Sequence, residues 1–157
     1  TGEPMEHSLH YQLRACHTNC QKAIITKLRQ TGDLRPGEPK ILEFLLEHEP
    51  CEQKTIAAGC GLDPASVTGI LGRMESRGLV TRACRDGNRR SLFVTMTDYG
   101  RTLAREVEET FALVDGRAVE GLTAGEQETF LALLAKVNRN LEDLTEGKEI
   151  EHDSNSK

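Results

Sequence analysis

Aromatic side chains are scarce in this chain: its 157 residues hold two Tyr, four Phe and no Trp. Proteins that hold single strands without sequence preference stack successive bases on such rings, so that class fits poorly. Long apolar runs are missing too, and no stretch approaches the roughly 20 residues of a membrane-crossing helix. No partner membrane is expected. The chain has no glycine-rich phosphate loop, no nucleophile elbow and no His-Glu-x-x-His, so catalysis finds little support. Glu43, Glu47 and Glu49 lie on or near one helix, where a solvated acidic face explains them better than acid–base work. No secretory leader is visible. The five cysteines are odd in number, and Cys51, Cys60 and Cys84 follow no spacing. Free thiols in a reducing compartment, and hence a cytoplasmic protein, are the expectation. With 37% hydrophobic and 29% charged residues, the composition is that of one globular domain large enough for a real core.

What the chain does have is concentrated between Gln53 and Arg90. Gln53 to Cys60 reads as a short helix, and Gly61 stands where a left-handed residue ends one. Asp63 as N-cap and Pro64 in the first turn restart the chain as a second helix. Ala57, Gly61, Val67 and Ile70 supply the small residue, the turn and the apolar anchors of a helix-turn-helix. Val67, Ile70, Leu71 and Met74 recur at helical spacing and should face inward. The opposite face carries Ala65, Ser66, Thr68, Gly69, Gly72 and Arg73, which are small, polar or basic and suit entry into a major groove. Gly69 and Gly72 each cost about 1 kcal/mol in a helix interior, which close approach to a partner would justify. The alternative is that they relieve packing against a neighbouring helix.

Past Gly78 the period changes from helix to strand. Leu79 to Arg85 and Ser91 to Thr97 are rich in β-formers, and Asp86-Gly87-Asn88 between them has turn composition. This predicts a β-hairpin wing. From Arg73 to Arg90 there are six arginines (73, 77, 82, 85, 89 and 90) against two acids, within a chain of net charge −5. Such clustering suits phosphate contact. The pattern points to a reader of double-stranded nucleic acid.

The runs Leu34 to Leu45, Gln53 to Ala57, Asp63 to Leu71, Arg77-Gly78-Leu79-Val80, Arg89-Arg90 and Val94 to Gly100 together resemble the multiple-antibiotic-resistance regulator (MarR) family. The resemblance covers roughly residues 8 to 145. It implies a mainly α fold with a small β-hairpin wing: a winged helix-turn-helix over 34–97, flanked by dimerisation helices at 8–30 and 98–145. It implies a homodimer on palindromic operator DNA, usually a repressor released by a small ligand or by oxidation. The expected DNA contacts are Thr55, Pro64, Ala65, Ser66, Thr68, Gly69, Arg73, Arg85, Arg89 and Arg90. Family wings often carry an aspartate one or two residues before the paired arginines, where this chain has Gly87 and Asn88.

The flanks carry the surplus apolar surface that a partner copy would cover. Leu9, Leu13, Cys16, Cys20, Ile24 and Leu28 form one stripe on an N-terminal helix. Leu103, Val107, Phe111 and Val114 mark a long helix from Asp98, Gly121 breaks it, and Thr123 with Glu126 makes a capping box. The last helix presents Phe130, Leu133, Leu134, Val137, Leu141 and Leu144. From Glu106 onward there are 13 acids and five bases, so this half should face away from DNA. Residues 1–7 read as a disordered start or a cloning remnant, and 146–157 as a mobile acidic tail.

Cys16 and Cys20 are read first as small hydrophobes packed in the core. Thiol sensing and a zinc site completed by His10 or another helix are the alternatives, and no cofactor is otherwise expected. The resemblance also implies an effector pocket, here lined by the N-terminal helix, the helix of Ile41 to Leu46 and the helix start at Asp98, and Arg14 and His17 beside the apolar stripe are the expected anchors for an anionic aromatic. A winged helix serving protein contact without an operator is the competing class, and the arginine-rich wing speaks against it.

Overall fold

The computed structural model describes residues 4–30, 32, 34–85, 87 and 91–147, and the chain divides into two units that meet between Asp115 and Gly116. In the first unit, helix α1 (Leu9–Leu28) leads to α2 (Glu38–His48), strand β1 (Cys51–Glu52), α3 (Gln53–Cys60) and α4 (Pro64–Ser76). Strands β2 (Val80–Cys84) and β3 (Leu92–Met96) follow, and then α5 (Asp98–Ala118), which runs through the boundary. Near the N-terminus, Met5–His7 form a short 3-10 turn that Ser8 closes by donating to the Met5 carbonyl. That part of the expected disordered start is therefore ordered, because a local turn needs no distant partner.

The turn between α3 and α4 is set by local chemistry. Gly61, at φ 63°, ends α3 in the left-handed region that a residue without Cβ enters at little cost. Asp63 then caps α4, accepting from the Ser66 backbone N–H at 2.9 Å. The two strands of the wing pair antiparallel from Val80↔Met96 to Cys84↔Leu92. The third strand was not anticipated: β1 pairs with the other edge of β3 (Cys51↔Val94, Glu52↔Phe93), giving the order β1-β3-β2.

The core sits where α2, α3, α4 and the sheet meet. Ile41, Leu42 and Leu45 of α2 pack with Ile56 of α3, with Val67, Leu71 and Met74 of α4, and with Val80 and Val94 of the sheet, all fully or almost fully buried. Two glycines stand in close approaches, and at Gly100 the obstacle is backbone. A Cβ on Gly100 would overlap the Leu79 backbone oxygen, and one on Gly59 would overlap the Phe44 ring. Glu49, just past α2, accepts from the Met96 N–H at 2.7 Å and from Arg101 Nε at 2.8 Å. It thereby ties three elements together.

The second unit is built around α6 (Ala124–Thr145). Gly121 turns the chain at φ 87°, and Thr123 and Glu126 exchange side-chain-to-backbone hydrogen bonds of 3.1 and 2.9 Å in the anticipated capping box. None of α6 is buried: Phe130, Leu133, Leu134, Leu141 and Leu144 all stand exposed. Residues 148–157 of the expected tail lie outside the described residues.

Candidate nucleic-acid interface

Helix α4 divides its side chains as its periodicity requires. Val67, Ile70, Leu71 and Met74 are buried, while Pro64, Ala65, Ser66, Thr68, Gly69 and Arg73 are exposed. Thr55 is exposed on the first turn of α3. The exposed face of α4 therefore offers short side chains over its first two turns, then one long cation. The two hydroxyls on that face are already engaged. Ser66 Oγ donates to Asp63 Oδ2 at 2.5 Å, and Thr68 Oγ1 donates to the Pro64 carbonyl at 3.0 Å. The Ser66 contacts hold the Asp63 carboxyl below its ordinary range, its hydrogen bond from the Ser66 hydroxyl being the main cause.

The glycines of α4 do not relieve packing against a neighbouring helix. The nearest atom to a Cβ on Gly69 would be Arg73 Nη1 at 3.5 Å, and on Gly72 it would be Arg82 Nη2 at 3.7 Å. Both are ordinary contact distances to guanidinium groups. Gly69 leaves the surface low where the Arg73 side chain lies back along the helix.

The six-arginine cluster separates by role. Arg77 Nη1 bridges both oxygens of buried Glu38, at 2.6 and 2.7 Å. Arg82 bonds Gln53 Oε1 at 3.0 Å and Glu75 Oε1 at 3.3 Å, with its side chain only 18% exposed. These two charges are spent within the fold, which corrects the expectation that the whole cluster faces a partner. Counting charge along the sequence could not show it, because Glu38 lies 39 residues before Arg77. Arg85 sits over the Phe93 ring, 4.7 Å from its centroid, a cation–π contact that pins it beside β3. Arg73 and Arg85 are exposed, while Arg89 and Arg90 lie outside the described residues, as do Asp86 and Asn88 of the turn.

A cavity of about 970 Å³ opens between α1, the segment before α2 and α5. Its wall carries His17 and the cations Arg29, Arg35 and Lys40, and its apolar part includes Ile24, Leu34 and Phe111. Of the two anchors expected from the sequence, His17 lines this cavity. Arg14 does not line it but lies 5.7 Å from the Tyr11 ring centroid, three residues earlier on α1. The middle of α5 contributes, not its start at Asp98, and α2 contributes through Pro39 and Lys40. Arg29, Arg35 and Lys40 escaped the sequence reading because they belong to no periodic stripe. Only the Pro36-Gly37 turn between them hints that the backbone brings them together.

Cys16 and Cys20 are exposed, so neither packs into the core of this chain. Helical spacing marks a common face but does not say how much of it the fold covers: Leu28 is buried, Ile24 half-buried and Leu9 exposed along the same stripe. Among the described residues, no three His, Cys, Asp or Glu side chains converge as metal ligands. No described helix is long and apolar enough to cross a membrane.

Comparison with known proteins places this geometry. The family profile described as MarR family matches residues 34–92, from the segment before α2 to the start of β3. The uncharacterized HTH-type transcriptional regulator YwhA of Bacillus subtilis (strain 168) is 35% identical over 98 residues, which span 62% of this chain and 70% of YwhA. Among solved structures, the MepR–DNA complex of S. aureus is 22% identical with a TM-score of 0.79, over 86% of this chain and 99% of that one. CouR of Rhodococcus jostii RHA1, bound to p-coumaroyl-CoA, is 23% identical with a TM-score of 0.72, over 96% of this chain and all of that one. The capped helix and the hairpin beside it thus have the sequence, and with the flanking helices the fold, of one group of gene regulators: the chain belongs to the MarR family of winged helix-turn-helix transcriptional regulators and is not an enzyme.

Proposed function

We propose that the protein acts as a homodimer that represses transcription from a palindromic operator and leaves the DNA when a small anionic ligand binds. The observation that carries this reading is the exposed face of α4, where Pro64, Ala65, Ser66, Thr68 and Gly69 present a low surface ending in Arg73. Such a face fits a groove about 12 Å wide, with Arg73 long enough to reach a base edge. Thr55 at the start of α3, and Arg85, Arg89 and Arg90 around the wing, take the phosphates on either side. The uncovered apolar residues of α6 support a partner copy, since an apolar surface of that extent is unstable in water. Two-fold symmetry then puts the half-sites about 10 bp apart.

The cavity supports an effector with an apolar body and an anionic group. Arg29, Arg35 and Lys40, with His17 beside them, would hold the anion while Ile24, Leu34 and Phe111 cover the rest. CouR, which has this fold, carries p-coumaroyl-CoA, an anionic ligand with an aromatic part. A ligand there acts on DNA binding only through different affinities for DNA-competent and incompetent forms.

The test is binding of the full chain to a selected duplex and to random duplex at 50 and 200 mM salt. Affinity for both should fall steeply with salt, and Arg73→Ala should narrow the gap between them. A phenolic acid panel should release the selected duplex from wild type, and Arg35→Ala with Lys40→Ala should resist release. Absence of duplex binding at the lower salt would overturn the reading in favour of a protein-contact module.

A further inference from the structure

We infer that Thr68 reads a thymine through its methyl group, an assignment that rests on α4 lying in the major groove. The argument begins with Arg82, whose guanidinium can only donate hydrogen bonds. Its Nη1 donates to Gln53 Oε1 at 3.0 Å, so the amide oxygen of Gln53 faces Arg82 and the amide nitrogen faces away. That nitrogen donates to Thr68 Oγ1 at 3.3 Å. An amide N–H cannot accept, so the Thr68 hydroxyl must place its own proton elsewhere. It donates to the Pro64 carbonyl at 3.0 Å, one turn back along α4.

The chain of donors is anchored at its far end. Glu75 accepts from Arg82 Nη2 at 3.3 Å while Gln53 accepts from Nη1, so the guanidinium is held from two sides, and Glu75 also takes the Arg82 backbone N–H at 3.0 Å. Arginine, amide and hydroxyl are therefore set in one order before any DNA arrives. Thr68 is nonetheless exposed on the outer face of α4. With its hydroxyl turned toward the helix backbone and Gln53, the branch it offers outward is the methyl. In the major groove the one apolar feature of a base edge is the C5-methyl of thymine. A rigidly held methyl against that group excludes water from both.

Uracil, which pairs as thymine does but lacks the methyl, provides the test. The full chain first selects duplexes from a random pool. Each thymine of the selected site is then replaced singly by deoxyuridine, and binding is measured with wild type, Thr68→Ser and Thr68→Val. At one thymine per half-site the replacement should weaken wild-type binding about four-fold, the effect of one buried methyl. Thr68→Val, which keeps a methyl, should retain that loss. Thr68→Ser, which keeps the hydroxyl alone, should bind the two duplexes equally. Uracil that is tolerated everywhere, or a loss that persists undiminished in Thr68→Ser, overturns the assignment while leaving α4 as the reader. A pool that yields no preferred sequence sinks both.

Discussion

Glu38 is 2% exposed, and Arg77 at the end of α4 answers its charge across 39 residues of sequence. The Arg35 N–H adds a further bond at 2.8 Å, so the carboxylate joins the cavity segment to the reading helix. Removing one partner of such a pair leaves a charge in a place without water. Arg77→Met should lower the unfolding free energy by about 3 kcal/mol in urea titration, and a loss under about 0.5 kcal/mol, the scale of exposed pairs, would refute the assignment. Glu43 behaves in the opposite sense. Burial first, and then the carboxylates of Asp115, Glu108 and Glu47, push its pKa above the ordinary 4.5. The folded state therefore holds that proton more tightly than the unfolded chain. Its contribution to stability is complete below about pH 4.5 and is lost as pH rises through the raised value. Glu43→Gln should accordingly raise the Tm at pH 7 and leave it near wild type at pH 4, and equal shifts at both pH values would exclude this cause.

At the scale of elements, Gly100 decides how α5 joins the sheet. Its N–H donates to Thr97 Oγ1 at 3.0 Å, and its Cα lies so close to Leu79 that no side chain fits. Since the obstacle is backbone, Gly100→Ala must displace either the start of α5 or the start of β2. A destabilisation of about 3 kcal/mol or more is expected, read from the urea midpoint. Such contacts explain which parts of the fold were legible in sequence. The α3–turn–α4 unit was plain, because Gly61, Asp63 and Pro64 act within a few residues of where they stand. Strand β1 was not, because two residues carry no period and Cys51–Glu52 become a strand only by pairing with β3. The same limit applies to the site. The exposed face of α4 followed from helical spacing, whereas the internal duties of Arg77 and Arg82 depend on partners that only the fold brings near. The stripe through Cys16 and Cys20 was correctly placed on α1, but periodicity identifies a face without telling what lies opposite.

For the whole molecule, α6 stands out among the described residues: six of the twelve large apolar side chains left exposed lie on it, the rest being scattered over α1, α5 and the turns. If α6 completes a dimer, a chain ending at Gly121 should sediment as monomer or aggregate. A truncated chain that still sediments as a dimer would remove α6 from the interface. The sheet order bears on how a dimer would meet DNA. Because β3 lies between β2 and β1, and β1 runs directly into α3, the wing is fastened on both sides to the body that carries α4. The Arg82–Gln53 bond fastens it a second time. Wing and reading helix therefore form a caliper of set opening. In the proposed complex, a duplex whose groove and backbone do not match that opening would have to deform to enter it, at an energy fixed by its own stiffness. If the protein binds DNA as proposed, two operators identical at every touched base should differ in affinity when the untouched steps between them differ in flexibility, and the duplex would be gauged as well as read.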